Sequence, residues 1–371
     1  MFVPFSRAAR GIAALALLTS TAPLSEAQSE PSIDRLLSKL PPPEKIVKAA
    51  PERAMQSADA ASRDPLVGGI FAALKTGNGK RAYALSRQLT DRHPRSAGAF
   101  ILRGAIATAV RQFNDARSAY RAASALEPNI SAAHLGLGQI EAMQGRTAAA
   151  IPHLQRYVKL EPKAAVGWFA LSDCALRVGR KAESVTYARK ASALSPSDAL
   201  TWVQLARAER AVGNNEGTLA ALSRAADVSP DSGVMLATVG YSYINLNRVS
   251  QAIPPLTRAA RLMPNDGLVH AQLGYCLQQT GRLDAAVGHL RKGAKLVPQY
   301  GMVWEHLGVA YMKQGKHRDA SKALERATRI MPGYRASWEH LAQSYRATGQ
   351  STEAARADAR ARSLPAGRAR G

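Results

Sequence analysis

A repeated Glu-His dipeptide is the clearest candidate for chemistry in this sequence. The tetrapeptide Trp-Glu-His-Leu occupies residues 304–307 and recurs at 338–341. Imidazoles beside carboxylates titrate near neutral pH and can donate or accept hydrogen bonds. One hypothesis is therefore a polar recognition site. A metal site would need further ligands, and no spacing supports one. The alternative, which we favour, is a duplicated segment with a solvated Glu/His face.

Motifs for catalysis are missing. No HExxH, GxSxG or paired CxxC pattern occurs, and the eight histidines are scattered. Residues 77–80 read Gly-Asn-Gly-Lys and faintly resemble a phosphate-binding loop. However, Arg81 stands where a Ser or Thr would hold magnesium, and Leu74 replaces the first glycine. We predict no enzyme, no catalytic residue, no metal and no cofactor.

The two cysteines, Cys174 and Cys276, are 102 residues apart. This distance is three times the 34-residue period described below. Stacked helices lie ~8–10 Å apart, so equivalent sites three periods apart cannot reach the ~4.4–6.8 Å of a disulfide. We predict two free, buried thiols.

A single period organises most of the chain. Prolines recur at intervals of 34 residues, at Pro94, Pro128, Pro162, Pro196, Pro230, Pro264, Pro298 and Pro332. Each period predicts two helices, A and B, with the proline ending helix B. A glycine recurs between A and B, as a left-handed helix terminus requires. Asn247 and Arg111 each take its place once. Asn suits that conformation, whereas the turn at Arg111 should be strained or differently shaped.

This pattern resembles the tetratricopeptide repeat family. The family's W…LG…Y…G…A…P signature is carried by Trp304, Leu307, Gly308, Tyr311, Gly315, Ala320 and Pro332. The resemblance covers nine repeats, residues 63–368. It implies an all-α, right-handed superhelical solenoid of nine helix-turn-helix repeats, whose A helices line a concave groove.

The resemblance also implies which residues line the groove. Positions are counted from Ala97, the first residue of the second repeat. In the family, positions 2, 5, 6, 9, 12 and 13 face the groove. The candidates here run from apolar through charged to polar and aromatic: Phe71, Ile101, Leu135, Phe169, Asp173, Arg177, Gln204, Arg207, Arg210, Tyr241, Gln272, Tyr275, Glu305, His306, Glu339 and His340. Neither the Lys/Asn carboxylate clamp nor the Asn ladder of two known family grooves is present.

The charge is strongly basic, at +23 with a pI near 10.5, which favours anionic partners. Position 26 is basic in seven consecutive repeats: Arg156, Lys190, Arg224, Arg258, Lys292, Arg326 and Arg360. This predicts a basic stripe on the convex face. The stripe is either a solvated surface or an attraction to an anionic polymer or membrane.

The N-terminus is typical of an export signal. Arg7 and Arg10 precede a short apolar run, and small residues surround a cleavage point after Ala27. An organellar transit peptide is the alternative. We expect a signal peptide (1–27), a linker with a short amphipathic helix (28–62), the solenoid (63–368) and a basic tail (369–371). No segment of the mature chain is expected to be transmembrane.

These features predict an exported scaffold, periplasmic or secreted, that binds an extended or helical protein segment in its groove. Similar exported repeat proteins serve envelope assembly and exopolysaccharide secretion. The alternative is a basic solenoid that binds an anionic polysaccharide or a membrane surface directly. Nucleic acid is not an expected partner, because it would require the organellar interpretation. The amphipathic helix of 28–62 is expected to cover the apolar end of the groove.

Overall fold

A computed structural model of the protein describes residues 60–365. The expected signal peptide, nearly all of the 28–62 linker and the 369–371 tail lie outside these residues. Within them, a 3-10 turn at Ala60–Arg63 leads into eighteen α-helices and no strand. The helices are α1 Pro65–Lys75, α2 Gly79–Arg92, α3 Ala97–Ala109, α4 Phe113–Leu126, α5 Ser131–Met143, α6 Thr147–Leu160, α7 Ala165–Arg177, α8 Lys181–Leu194, α9 Ala199–Ala211, α10 Asn215–Val228, α11 Gly233–Asn245, α12 Val249–Leu262, α13 Gly267–Gln279, α14 Leu283–Leu296, α15 Gly301–Lys313, α16 His317–Ile330, α17 Arg335–Ala347 and α18 Ser351–Ser363.

The helix lengths account for the 34-residue period. In repeat 2, α3 takes 13 residues, the connection to α4 three, α4 itself 14, and the turn to α5 four. Odd-numbered helices are the A helices and even-numbered helices the B helices. The predicted all-α solenoid of nine helix pairs is confirmed within the described residues.

The turn from each A helix to its B helix uses one left-handed residue. Gly145, for example, has φ 78°, and Asn247 has φ 57°. Arg111 adopts the same conformation, with φ 62°. Its backbone N–H donates to Thr108 O at 3.0 Å, as the Gly145 N–H does to Ala142 O at 3.1 Å. The Arg111 turn therefore has the ordinary shape, and the expected strain is confined to a non-glycine residue at positive φ.

The turn between repeats explains why proline and an aromatic residue recur together. The indole N–H of Trp168, at position 4, donates to the carbonyl of Pro162 at 2.9 Å. The same bond forms at three other tryptophans, and the imidazoles of His134 and His270 replace the indole. Leu236 cannot donate, and there the Arg258 guanidinium donates to Pro230 O at 2.8 Å. In these seven turns the proline carbonyl is thus satisfied by whichever donor the repeat supplies.

The described residues divide into two compact bodies. The N-terminal body is residues 60–263 (α1–α12) and the C-terminal body is residues 264–365 (α13–α18). Within each body, every helix packs on the next, and the A helices α3, α5, α7 and α9, like α13, α15 and α17, also contact the A helix of the next repeat in their series. Position 8 is small because a Cβ on Gly240 would lie 2.5 Å from Leu256, and one on Gly308 would lie 2.5 Å from Leu324. Helices A and B therefore pack closely at this position.

Both cysteines are free and buried, as predicted. Burial raises the pKa of the Cys174 thiol to about 11 and that of the Cys276 thiol to about 12. Both side chains act as small core residues rather than reactive groups. Across residues 60–365, none of the helices has the length and apolar character needed to cross a bilayer.

Candidate partner-binding groove

Several apolar groove candidates of the N-terminal body are core residues. Ile101 is 1% exposed and Phe169 is 6% exposed, whereas Phe71 and Leu135 are half-buried. Neighbouring A helices contact each other, so a bulky position 5 lies between them. The interpretation of this end as an open apolar groove is therefore wrong for Ile101 and Phe169. The docking of segment 28–62 is not needed to cover them.

Two further candidates of this body are also buried. Gln204 is 1% exposed and donates from Nε2 to the Ser172 hydroxyl at 3.0 Å. Tyr241 is 3% exposed. At Gln204, position 6 reaches position 8 of the preceding repeat, so it joins two A helices. Groove positions in the sequence therefore do not ensure that Gln204 and Tyr241 are exposed.

A charged patch of the N-terminal body lies on α7 and α9. Arg207 Nη1 lies 3.5 Å from Asp173 Oδ1, and Arg177 Nη1 lies 3.9 Å from Asp173 Oδ2. The two guanidiniums remain about two-fifths exposed, at 38% and 44%. Desolvation lowers the pKa of the nearby Arg210, which is on α9. One carboxylate thus bridges two cations, and the patch of Asp173, Arg177 and Arg207 is net positive.

The C-terminal body contains the Glu/His pairs, and the structure interlocks them across repeats. Glu305 on α15 is 3% exposed. The Ser337 hydroxyl donates to Glu305 Oε2 at 2.5 Å, and His340 Nδ1 lies 2.6 Å from Glu305 Oε1. Ser337 and His340 are both on α17. The interpretation of a solvated Glu/His face is therefore wrong for Glu305. Glu339 stays exposed beside Arg335.

An aromatic pair lies on the same run of A helices. The rings of Tyr275 (α13) and His306 (α15) have centroids 4.7 Å apart and are tilted by 40°. Burial lowers the pKa of His306 to about 4, so its imidazole is neutral at pH 7. The hydrogen bond to Glu305 raises the pKa of His340, which favours its charged form. We call Tyr275, Glu305, His306 and His340 the tyrosine–histidine cluster. Gln272 on α13 is half-buried.

Position 11 contains two buried carboxylates that sequence reasoning missed. Glu141 is 5% exposed and accepts from Arg117 Nε at 2.8 Å and from Arg146. Glu209 accepts from Arg189 Nη2 at 2.7 Å. The signal available was an acid at a position that holds Tyr in other repeats. Because Arg117 and Arg189 belong to the preceding B helices, these pairs tie repeats together.

The predicted basic stripe is partly engaged within the fold. The Lys190 ammonium lies 4.2 Å from the Trp168 ring centroid, and Arg326 lies 5.9 Å from that of Trp304. Arg258 donates to a turn carbonyl, as described above. Other members have polar contacts or line a crevice: Arg156 with Asn129, Arg224 with Asp227, and Arg360 at a crevice described below. Burial lowers the pKa of His270 and of His289, and the charge of Lys292 lowers both further. Much of the stripe therefore also serves packing.

No group of three or more His, Cys, Asp or Glu residues in the described part of the chain is placed to share a metal ion. The tyrosine–histidine cluster brings together two histidines, one carboxylate and one tyrosine on the A helices. Its chemistry is hydrogen bonding and ring stacking. Its side chains are held in place by one another and by Ser337.

Known structures of similar fold are repeat proteins. YrrB, a TPR protein described with an unusual peptide-binding site, is 19% identical, with 50% of this chain and 96% of YrrB covered and a TM-score of 0.46. MamA of Desulfovibrio magneticus is 19% identical, and the match covers 45% of this chain and 94% of MamA with a TM-score of 0.42. A tetratricopeptide repeat protein of Parabacteroides merdae is 10% identical, and the match covers 66% of this chain and 97% of that protein with a TM-score of 0.46. At these TM-scores the likenesses carry no functional argument. Among curated proteins, none matches this sequence.

Sequence profiles independently match the repeats. Tetratricopeptide-repeat profiles match residues 107–165 and 144–199, and another matches 301–334. The last match coincides with repeat 8, from the first residue of α15 to the last residue of the following turn. The period, the paired helices and the left-handed A-to-B turns agree with these matches. The matched residues, 107–199 and 301–334, are therefore tetratricopeptide repeats.

Proposed function

We propose that the protein is a non-catalytic scaffold that binds a segment of a partner protein along its A helices. The observation that carries this proposal is the tyrosine–histidine cluster. Its aromatic ring pair and its His340–Glu305 bond are positioned before any ligand arrives. Preorganised aromatic and hydrogen-bonding groups are typical of the few residues that dominate a protein interface. The charged patch of the N-terminal body is a second contact area, suited to acidic side chains.

The setting of this activity is inferred from the N-terminal sequence. Export to the periplasm or the exterior follows from the expected signal peptide, and a role in envelope assembly or exopolysaccharide secretion follows by analogy of fold. Sequencing the mature N-terminus tests the export step. Cleavage after Ala27 supports it, whereas an uncut chain or a distant cleavage point contradicts it.

The groove proposal is tested by affinity capture from the envelope fraction with three forms of the mature protein. These are the wild type, a Tyr275→Ala/His306→Ala variant, and a Lys316→Gln/Arg318→Gln control, whose exposed residues lie at positions 16 and 18, outside the groove positions. A groove partner is captured by the wild type and the control but lost with the first variant, and a synthetic peptide from that partner then competes. Equal capture by all three forms contradicts groove binding.

A second function is favoured by the charge of the B helices. Positions 22 and 29 of the C-terminal body add Lys295, Lys322, Arg329 and Arg356 to the stripe. All four are exposed. We propose that this face attracts an anionic polymer or an anionic membrane surface. Exposed charges act through screened Coulomb forces, so binding should fall steeply with salt. Binding that persists in about 0.5 M salt, where the Debye length is only a few ångströms, contradicts this function.

A further inference from the structure

Two crevices between B helices of the C-terminal body are built from the same repeat positions. Crevice 1 has a volume of about 330 Å³ and lies among α14, α15 and α16. Crevice 2 has a volume of about 610 Å³ and lies among α16, α17 and α18. Each therefore uses the B helix of one repeat and both helices of the next. Ligand pockets commonly have volumes of ~300–1,000 Å³.

Aromatic side chains and a leucine line each crevice. Crevice 1 has Trp304 and Tyr311, and crevice 2 has Trp338 and Tyr345, with a leucine between them in both. The indole N–H groups are already bonded to turn carbonyls, at 2.9 Å for Trp304 and 3.1 Å for Trp338. The tryptophans consequently offer ring carbons in a fixed orientation and no free donor. Such rigid aromatic faces suit a flat apolar ring face.

The rims carry more cations than acids. In crevice 1, Arg291, Lys295 and Lys322 face one acid, Asp319. Crevice 2 is lined by two acids, Glu325 and Glu353, and by three arginines: Arg329, Arg356 and Arg360. Glu325 accepts a hydrogen bond from the Tyr345 hydroxyl at 2.9 Å. Each crevice therefore combines a net positive rim with carboxylates.

Each crevice is lined by a cation at position 29 of one B helix and a cation at position 22 of the next B helix. Among residues 60–365, Lys295, Lys322, Arg329 and Arg356 have no carboxylate partner within 4.0 Å. Their neighbours Arg335 and Arg346, by contrast, are paired with acids. These four charges are thus available to a ligand anion.

The combination of aromatic rings, cations and carboxylates in each crevice suits an acidic sugar. An acidic sugar presents a face of C–H groups to an aromatic ring, one carboxylate to the cations, and hydroxyls that donate to Asp319 or Glu353. A polymer with a phosphate at every unit would meet those rim acids unfavourably. Crevices built from the same positions of successive repeats match a polymer of repeating units, since linked subsites bind far more tightly than one alone. We propose that the C-terminal body binds an acidic polysaccharide through these two crevices, one acidic sugar in each.

This proposal rests on the second function above and assigns residues and a ligand class to it. It does not depend on the groove. The probe is oligogalacturonate, in short and long chains, with a neutral oligosaccharide of equal length as the reference. Titration calorimetry on the mature protein at low salt measures the affinity. Long oligogalacturonate should bind at least tenfold more tightly than a chain too short to enter both crevices.

Two double variants test the crevices, and a third is the matched control. Lys295→Gln/Lys322→Gln removes two of the three cations of crevice 1 and leaves Arg291, and Arg329→Gln/Arg356→Gln removes two of the three cations of crevice 2 and leaves Arg360. Lys313→Gln/Lys316→Gln also removes two exposed charges of the C-terminal body, away from both crevices. Each crevice variant should bind roughly 3- to 10-fold more weakly, and the control within about twofold of wild type. Unchanged thermal melts show that all variants are folded.

The outcomes separate the proposals. If oligogalacturonate binds but the crevice variants match the control, the crevice assignment is overturned while general attraction to anions stands. If no anionic probe binds, both fail. Equal affinity for polyglutamate, for anionic lipid vesicles or for the neutral oligosaccharide overturns the acidic-sugar assignment.

Discussion

The bond between Glu305 and His340 supports a prediction of unequal mutational costs. Glu305 is buried, whereas the His340 side chain is 36% exposed. Glu305→Gln keeps the shape of the side chain and leaves an imidazole that can lose its proton to water. His340→Ala leaves a buried carboxylate with only the Ser337 hydroxyl. Removing the partner of a buried charge costs more than removing an exposed partner.

The magnitudes follow from these surroundings. Glu305→Gln should lower the free energy of unfolding by about 0.5–1.5 kcal/mol, the range for an ordinary hydrogen bond, because the partly exposed His340 can be hydrated instead. His340→Ala should lower it by about 2–4 kcal/mol, below the full cost of a stranded buried charge because His340 is partly solvated. Urea unfolding followed by tryptophan fluorescence measures both, and the double variant gives the coupling. Equal costs, or a larger cost for Glu305→Gln, would refute the reasoning.

The same pair makes stability depend on pH. Hydrogen bonding to Glu305 raises the pKa of His340 in the folded protein above its usual value near 6.5. The stabilisation is therefore complete below pH 6.5 and is lost as pH rises through the raised folded pKa. Glu305→Gln should remove this dependence. An NMR titration of the His340 ring should show its pKa falling in that variant, and an unchanged pKa would contradict the assignment.

Three other outcomes are expected. Arg111→Gly should raise the free energy of unfolding by about 0.5–1 kcal/mol, because φ 62° strains a residue with a Cβ; urea midpoints measure this, and a loss of stability would contradict it. Cys174 and Cys276 should react with a thiol reagent only as fast as the protein opens, since both are buried; rapid labelling of the native protein would argue otherwise. Arg258→Ala should cost about 0.5–1.5 kcal/mol by freeing the Pro230 carbonyl, whereas Arg224→Ala, which loses an exposed pair at 3.9 Å, should cost almost nothing; equal melting temperatures for the two variants would count against the carbonyl bond.

The fold could be predicted because its constraints are local and repeated. A proline that ends a helix and a glycine at positive φ act through backbone sterics that each repeat obeys independently. Even the exceptions followed this logic, since Asn247 and Arg111 occupy the same left-handed conformation as the glycines. Burial of Cys174 and Cys276 followed from the same register.

The candidate site could be predicted only in part. The position of a residue in a repeat indicates which face of the helix it lies on, but not how far its side chain is buried. Ile101 and Phe169 occupy groove positions, yet the adjacent A helices bury them. Whether a side chain at position 5 is covered depends on the size of its neighbours in the next repeat. No pattern within one repeat contains that information.

Some features of this protein are therefore determined by its sequence alone, and others only by its tertiary structure. The sequence established the period, the paired helices, the turns and the excess of basic residues, because each depends on residues close together in the chain or on composition. Tertiary packing alone brought Glu305 to Ser337 and His340, gave Pro230 the Arg258 guanidinium, and opened two matching crevices between B helices. The hydrogen bonds join residues that are 28 to 35 positions apart in the chain, and crevice 2 is lined by three helices. They form only when complete repeats stack, since a single helix pair cannot bury its own faces.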